Sequence, residues 1–97
     1  MLLLVEFDFN ADIIDVPKEV IDNRKQLNRA CIEWLYSPAV KPRYTVTING
    51  HRGLCYRSEA FAAFLNENLL KDSKQKAVIV EQYVPRDNKQ NLPSVFF

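Results

Sequence analysis

The chain has 97 residues, of which 47% are hydrophobic and 26% are charged, a composition typical of a globular domain. Two glycines and five prolines are too few for a low-complexity segment. A formal net charge of +1 argues against a general electrostatic attraction to nucleic acid or membranes.

The first third of the chain predicts a strand, an acidic loop and a long helix. Apolar side chains alternate along residues 2–9, as they do in a strand with one buried face. These residues are Leu3, Val5, Phe7 and Phe9. Residues 10–16 are predicted to form an acidic loop. Pro17 suits the first turn of a helix, and an apolar stripe extends this helix to about Tyr36.

The middle of the chain predicts a β-hairpin. A strand over residues 43–49 ends at Asn49-Gly50, a strong signal for a tight turn. A two-residue turn, however, would place Leu54 and Tyr56 on the face opposite to Val46. Because a shift of one residue moves every side chain to the other face, the apolar pattern favours a loop of three or five residues.

The last third predicts a helix, a strand and a tail. Ser58 is a good N-cap for the helix. Residues 77–84 form the last strand, and Pro85 ends it. The resulting strand–helix–strand–strand–helix–strand order is that of the ferredoxin-like α+β sandwich, a four-stranded antiparallel sheet with two helices on one face. We therefore expect one α+β domain over residues 1–85 and a tail over residues 86–97.

The two cysteines, Cys31 and Cys55, are too few for a disulfide framework. No stretch approaches the roughly 20 apolar residues of a membrane span, and the apolar start is not a signal peptide. We expect free thiols, a cytoplasmic location and no membrane partner. With one histidine and no glycine-rich phosphate loop, we expect no zinc site and no cofactor, and we assign no catalytic residue.

Charge is segregated along the chain. Residues 1–23 hold six acidic residues and one lysine, a net charge of −5. Residues 24–57 hold seven basic residues and one acidic residue, a net charge of +6. Opposed regions of this kind favour self-association or a partner of mixed charge, although they can also neutralise each other within the fold.

An acidic stretch near the first strand matches part of a calcium-binding loop. Its oxygen-bearing residues are Asp8, Asn10, Asp12 and Glu19. The position that requires a glycine holds Ile13, which is poorly suited to a positive φ. The alternative is an acidic loop that stabilises the start of the following helix. These residues are weak metal candidates, and through Asp8 they define one hypothesis, a metal-dependent hydrolase.

Two further hypotheses concern binding. Arg43, Arg52 and Arg57 surround the hairpin and predict a basic patch that would bind the phosphates of a nucleic acid. The chain ends in an apolar segment whose large residues predict a binding surface. These residues are Leu92, Val95, Phe96 and Phe97. The tail would pack on the domain or on a neighbouring chain, and we slightly favour the second. The leading hypothesis is a small non-enzymatic binding or regulatory domain that acts through protein contacts as a homodimer.

Overall fold

In a computed structural model, which describes residues 1–86 and 91–97, the chain is an α+β protein. The described helices are α1 (Lys18–Asp22), α2 (Arg24–Leu35), α3 (Lys41–Tyr44) and α4 (Ser58–Glu67). The strands are β1 (Leu2–Glu6), β2 (Ala11–Asp15), β3 (Thr45–Ile48), β4 (His51–Leu54), β5 (Val78–Val84) and β6 (Ser94–Phe96). None of the described helices has the length and apolar character to cross a membrane.

The main sheet has the strand order β5-β2-β1-β6. β2 pairs antiparallel with both β1 and β5, whereas β6 lies parallel to β1. One face of this sheet packs against α2 and α4 and forms the core. The core side chains come from β1 and β2 (Leu3, Val5, Ile14) and from the two helices (Cys31, Leu35, Phe61, Leu65). The expected apolar face of the first strand is confirmed at Leu3 and Val5 but wrong at Phe9, whose side chain is 93% exposed.

The segment predicted to be an acidic loop contains β2, an interior strand of the main sheet. The prediction was wrong because it treated the carboxylates as solvent-facing. Asp12 is 0% exposed and lies in the interior with an arginine partner. Ala11, Ile13 and Ile14 are also buried, so apolar contacts on both faces of β2 stabilise it.

The ferredoxin-like strand order is not confirmed. The predicted hairpin forms a separate two-stranded sheet, and β2 and β6 contribute the strands that complete the main sheet. The physical reason is the difference in the apolar surface that the strands bury. β3 and β4 are mostly exposed, so they bury little apolar surface, whereas β2 is buried almost along its whole length.

The hairpin turn has two residues, so the predicted loop of odd length is wrong. Ile48 lies opposite His51, and Thr45 lies opposite Leu54. Asn49 and Gly50 have φ angles of 51° and 79°, the pair of positive values that a type I′ turn requires. Because neither face of this hairpin is buried, no apolar pattern selects the register, and the turn residues decide it.

The long first helix is divided in two. α1 and α2 are separated by Asn23, whose backbone is not helical, with φ −114° and ψ 17°. Its side chain Nδ2 donates to the backbone oxygen of Glu19 at 2.8 Å. The backbone N–H of Asn23 donates to the same Glu19 oxygen at 3.2 Å, and Asn23 O accepts from the Leu27 N–H at 3.0 Å, so the two helices follow each other with a bend and without loss of these bonds.

The C-terminal segment packs on its own domain. β6 pairs with β1, and Val95 is buried in the core with Phe97 packed against it. The backbone N–H of Phe97 donates to the oxygen of Glu6 at 2.9 Å. Residues 87–90 of the predicted tail lie outside the described residues. The arrangement explains the apolar end of the chain, since it supplies an edge strand and part of the core.

Candidate functional site

The most densely bonded polar group in the interior is the carboxylate of Asp12. Its Oδ1 accepts hydrogen bonds from Nη2 of Arg57 at 2.6 Å and from the backbone N–H of Tyr83 at 3.1 Å. Its Oδ2 accepts from the hydroxyl of Ser58 at 2.6 Å and from the backbone N–H of the same residue at 3.2 Å. We call these four residues the Asp12 centre. It ties β2 to β5 and to the first turn of α4.

The guanidinium of Arg57 lies between two aromatic rings. Its central carbon is 4.6 Å from the ring centroid of Phe7 and 4.1 Å from that of Tyr83. Its Nη2 also donates to the side chain of Asn10 at 2.8 Å. Stacking of this kind favours a cation that is partly removed from water, and the Arg57 side chain is only 21% exposed. The rings and the carboxylate together hold the arginine in one orientation.

The Asp12 carboxylate is ionised at neutral pH. Burial raises the pKa of Asp12, but hydrogen bonds from Arg57, Ser58 and the Tyr83 N–H outweigh that effect and bring the pKa below its ordinary value. The first turn of α4 adds the positive end of a helix dipole. Because four hydrogen bonds occupy the lone pairs of the Asp12 carboxylate, the Asp12 centre has the properties of a structural link rather than of a general base.

Ser58 has a different role from the predicted one. It is the first residue of α4, and the N-cap is Arg57, whose own side chain makes no capping hydrogen bond. The Glu59 carboxylate accepts from the Arg57 backbone N–H at 3.0 and 3.1 Å. The next N–H of the helix is capped from β2, since Asp12 accepts from the Ser58 N–H. A carboxylate from a distant strand thus performs the function predicted for a local hydroxyl.

Tyr83 has a backbone conformation that is unusual for a tyrosine. Its φ is 59°, in the left-handed region, and the pairing of β5 with β2 shifts register on both sides of Ile13. A left-handed backbone costs a residue with a Cβ about 1–2 kcal/mol. The hydrogen bond from its N–H to Asp12 and the contact between its ring and Arg57 offset that cost.

The predicted metal ligands lie in different parts of the fold. Asn10 and Asp12 lie close together, but both bind the cation Arg57. Glu19 lies on α1, and Asp8 lies in the loop between β1 and β2. Across residues 1–86 and 91–97, no group of three or more His, Cys, Asp or Glu side chains is placed to hold a metal ion.

The three arginines of the predicted basic patch lie in different environments. Arg43 forms two hydrogen bonds to the carboxylate of Glu67, at 2.9 and 2.7 Å, and these bonds lower the pKa of Glu67. Arg57 belongs to the Asp12 centre. Arg52 lies exposed on β4 and has no ion-pair partner among the described residues. Only one of the three arginines thus presents a free positive charge.

The predicted partner-binding residues of the C-terminal segment are mostly covered by the chain itself. Val95 is buried, and Leu92 packs against a small cluster on the outer face of the sheet. The ring of Phe97 lies 5.3 Å from Phe61. Phe96 is the exception, with a side chain that is 51% exposed. Partner binding stays a prediction for this segment, with Phe96 as its accessible residue.

An open groove lies beside the β3–β4 hairpin, with a volume of about 760 Å³. Its walls come from the end of α2, from α3 and from the hairpin. The lining residues are Tyr36, Pro38, Lys41, Pro42, Thr45, Arg52, Gly53, Leu54 and Tyr56. Of these, the sequence had singled out only Arg52 as a candidate binding residue. The others lie on α3, β3, β4 and the segments that follow α2 and β4, and no local pattern joins them.

β5 is an edge strand with exposed apolar side chains. Val78 is 57% exposed, Val80 is 55% exposed and Tyr83 is 65% exposed, and Ile79 is also exposed. Among the described residues, no strand pairs with the outer edge of β5. The last strand was predicted at these residues, but its position at the edge of the sheet was not visible in the sequence.

The cysteines do not form a catalytic pair with the single histidine. Burial raises the pKa of Cys31 to about 12, so its thiol is protonated and unreactive at neutral pH. Cys55 is exposed and follows the hairpin, and both thiols are free, as predicted. His51 lies in the exposed strand β4. An extended chain separates these last two residues by about 13 Å, too far for proton transfer.

No protein-family model, curated protein or solved structure matches this chain.

Proposed function

We propose that this chain is a non-enzymatic binding domain that acts through protein contacts and associates with a second copy of itself through β5. The observation that carries the proposal is the run of exposed apolar side chains on this edge strand. Edge strands in soluble proteins are usually short, charged or covered. β5 has seven residues and a single charged one, Glu81.

The proposed surface has a charge pattern that suits a two-fold contact. Lys74 and Lys76 precede β5, and Glu81 lies in its second half. A two-fold axis places the same surface on both copies, so the beginning of one strand lies beside the end of the other. The basic residues of each copy then approach the glutamate of its partner, and this arrangement favours a second copy over an unrelated chain.

The apolar side chains, rather than a long ladder of backbone hydrogen bonds, would carry this contact. The register of β5 against β2 shifts on both sides of Ile13, so β5 is bulged. Bulges twist an edge and limit how far another strand pairs with it. Val78 and Val80 would therefore supply most of the buried area, at about 25 cal/mol for each Å² of apolar surface removed from water.

Sedimentation equilibrium tests the proposal. We expect the protein to form dimers in a concentration-dependent manner, and we expect Val80→Lys to raise the dissociation constant at least about tenfold, because it places two like charges in an apolar contact. Ile48→Lys is the matched control, since Ile48 is also exposed on a strand but lies in the separate hairpin. A protein that is monomeric up to about 1 mM, or an equal effect of both substitutions, would contradict the proposal.

The C-terminal segment has a separate predicted role in partner binding. Phe96 lies on β6, at the opposite edge of the main sheet from β5. Deleting residues 92–97 would not test this role, since it would remove Val95 from the core. Phe96→Lys keeps the core intact. Dimerisation that is unchanged in this variant would exclude the segment from the dimer contact.

We also propose a cytoplasmic location. Two free thiols, one of them exposed, suit a reducing compartment. Fractionation of expressing cells with an antibody against the protein tests this location, and recovery from an oxidising compartment would contradict it.

A further inference from the structure

The groove beside the hairpin carries charge of one sign. Its lining includes Lys41 and Arg52 and no acidic side chain. Both cations are exposed, and neither has an ion-pair partner among the described residues. A ligand with negative charge would therefore meet two cations that the fold has not neutralised.

The groove also carries two aromatic rings. Tyr36 is 60% exposed at the end of α2, and Nζ of Lys41 lies 5.6 Å from its ring centroid. Tyr56 is half-buried, and the edge-to-face contact with Phe97, at 6.0 Å between centroids, holds its ring. One accessible ring beside a fixed one is an arrangement on which planar groups stack.

A row of exposed residues extends the groove along α2. Lys25, Arg29 and Tyr36 are separated by four and seven positions, so rotation of 100° per residue places them on one face of the helix. All three are exposed, and so is Glu33, which lies one turn after Arg29 on the same side of the helix. The row spans about 16 Å from Lys25 to Tyr36. Neither Lys25 nor Arg29 has an ion-pair partner among the described residues.

We propose that this groove and the row on α2 bind single-stranded nucleic acid. Each nucleotide offers a phosphate for a cation and a planar base for a ring, and the groove supplies both kinds of group. An acidic peptide would engage Lys41 and Arg52 but leave the ring of Tyr36 without a planar partner. The proposed site differs from the predicted basic patch, because Arg43 and Arg57 are neutralised by carboxylates. It is also separate from β5 and independent of dimerisation.

Fluorescence anisotropy with the full chain and a labelled oligothymidylate of about 16 nucleotides tests this inference. We expect binding whose log K falls with log salt, with a slope of about −0.7 for each phosphate contact. Tyr36→Ala should weaken binding at least about fivefold, the lower limit for loss of one stacked base. Lys41→Ala should weaken it and make the salt slope shallower by about 0.7.

Two matched variants serve as controls. Tyr36→Phe keeps the ring, so its affinity should stay within about twofold of wild type, well inside the effect of losing a stacked base. Lys71→Ala removes an exposed lysine outside both the groove and β5 and should leave affinity and salt slope unchanged. All four substitutions are at exposed positions, and circular dichroism checks that each variant is folded.

Polyglutamate of similar length is the competing ligand. Polyglutamate binding as tight as that of the oligonucleotide would overturn the inference and indicate an acidic protein ligand. Wild-type affinity in Tyr36→Ala, or no binding to the oligonucleotide at low salt, would also overturn it. The dimer variant Val80→Lys should bind the oligonucleotide as wild type does, which keeps this result separate from the test of dimerisation.

Discussion

Replacement of Asp12 by asparagine tests the central link of the fold. The substitution keeps the size of the side chain but removes its charge and exchanges one acceptor oxygen for an NH₂ donor. Asp12 accepts two hydrogen bonds on each oxygen. In either orientation of the amide, at least one N–H donor therefore faces the new NH₂ group, while the Ser58 hydroxyl can turn to accept from it. The guanidinium of Arg57 also loses its negative partner.

The expected cost follows from burial. Removal of one partner from a buried ion pair costs about 3–5 kcal/mol, because the other charge is left without compensation. Asp12 is fully buried, but the Arg57 side chain is 21% exposed and water can solvate it in part. We therefore expect Asp12→Asn to lower the free energy of unfolding by about 3 kcal/mol. A small domain is stable by about 5–15 kcal/mol, so the variant should still fold.

Urea denaturation followed by circular dichroism measures this change. With a slope of about 1.5 kcal/mol per molar urea, a loss of 3 kcal/mol moves the midpoint down by about 2 M. Glu67→Gln is the matched control, since it removes the carboxylate of the exposed pair with Arg43. Exposed pairs contribute about 0–1 kcal/mol, so the control midpoint should move by well under 1 M.

The pH dependence of the same measurement gives a second test. Because the pKa of Asp12 is lower in the folded protein than in the unfolded chain, its ionised form contributes stability above the ordinary pKa of about 4. That contribution is lost as pH falls through the folded pKa. Wild type should therefore lose more stability than Asp12→Asn between about pH 5 and pH 2. The reasoning would be refuted if Asp12→Asn cost no more stability than Glu67→Gln. It would also be refuted if the stability difference between wild type and Asp12→Asn stayed constant over this pH range.

Three further predictions concern the turn, the C-terminus and the thiols. Gly50→Ala should destabilise the protein by about 1 kcal/mol in urea denaturation, because φ at Gly50 is 79°; an unchanged midpoint would contradict the turn geometry. Phe97→Ala should cost about 2–3 kcal/mol, since Phe97 packs against the core, whereas exposed Phe96→Ala should cost less than about 0.5 kcal/mol. Equal losses of stability in these two variants would contradict the difference in burial between Phe97 and Phe96. A thiol reagent should modify Cys55 quickly in the native protein and Cys31 only after unfolding, because Cys31 is buried with its pKa raised to about 12. Mass spectrometry measures both rates, and rapid native labelling of Cys31 would contradict its burial.

Several elements could be predicted because their signals are local. Alternating apolar residues predicted a strand over residues 2–9, where β1 spans Leu2–Glu6, and the strand predicted over residues 77–84 is β5, which spans Val78–Val84. The α+β class was predicted from such elements and the free cysteines from the cysteine count, and both are confirmed. For the strands, the residues that carry the signal are neighbours in sequence and interact through their own backbone or their own apolar face.

The candidate sites were much less predictable. The Asp12 centre joins residues separated by 45 and 71 positions. The groove joins Tyr36 and Lys41 to Arg52 across a hairpin. The predicted basic patch consisted of Arg43, Arg52 and Arg57, but Arg43 and Arg57 form ion pairs with carboxylates on other elements. Sequence spacing shows which residues can share a face of one element, but not which distant charge neutralises them.

The composition and the local apolar patterns of this sequence determined that it forms strands and helices and where several of them lie. The tertiary structure alone decided the rest. Asp12 belongs to a buried strand because Arg57 arrives from the start of α4, and the hairpin follows its turn residues because no core covers either of its faces. Whether the interior tolerates a charge, and which register a hairpin adopts, depends on the residues that pack against them. Those residues lie elsewhere in the chain.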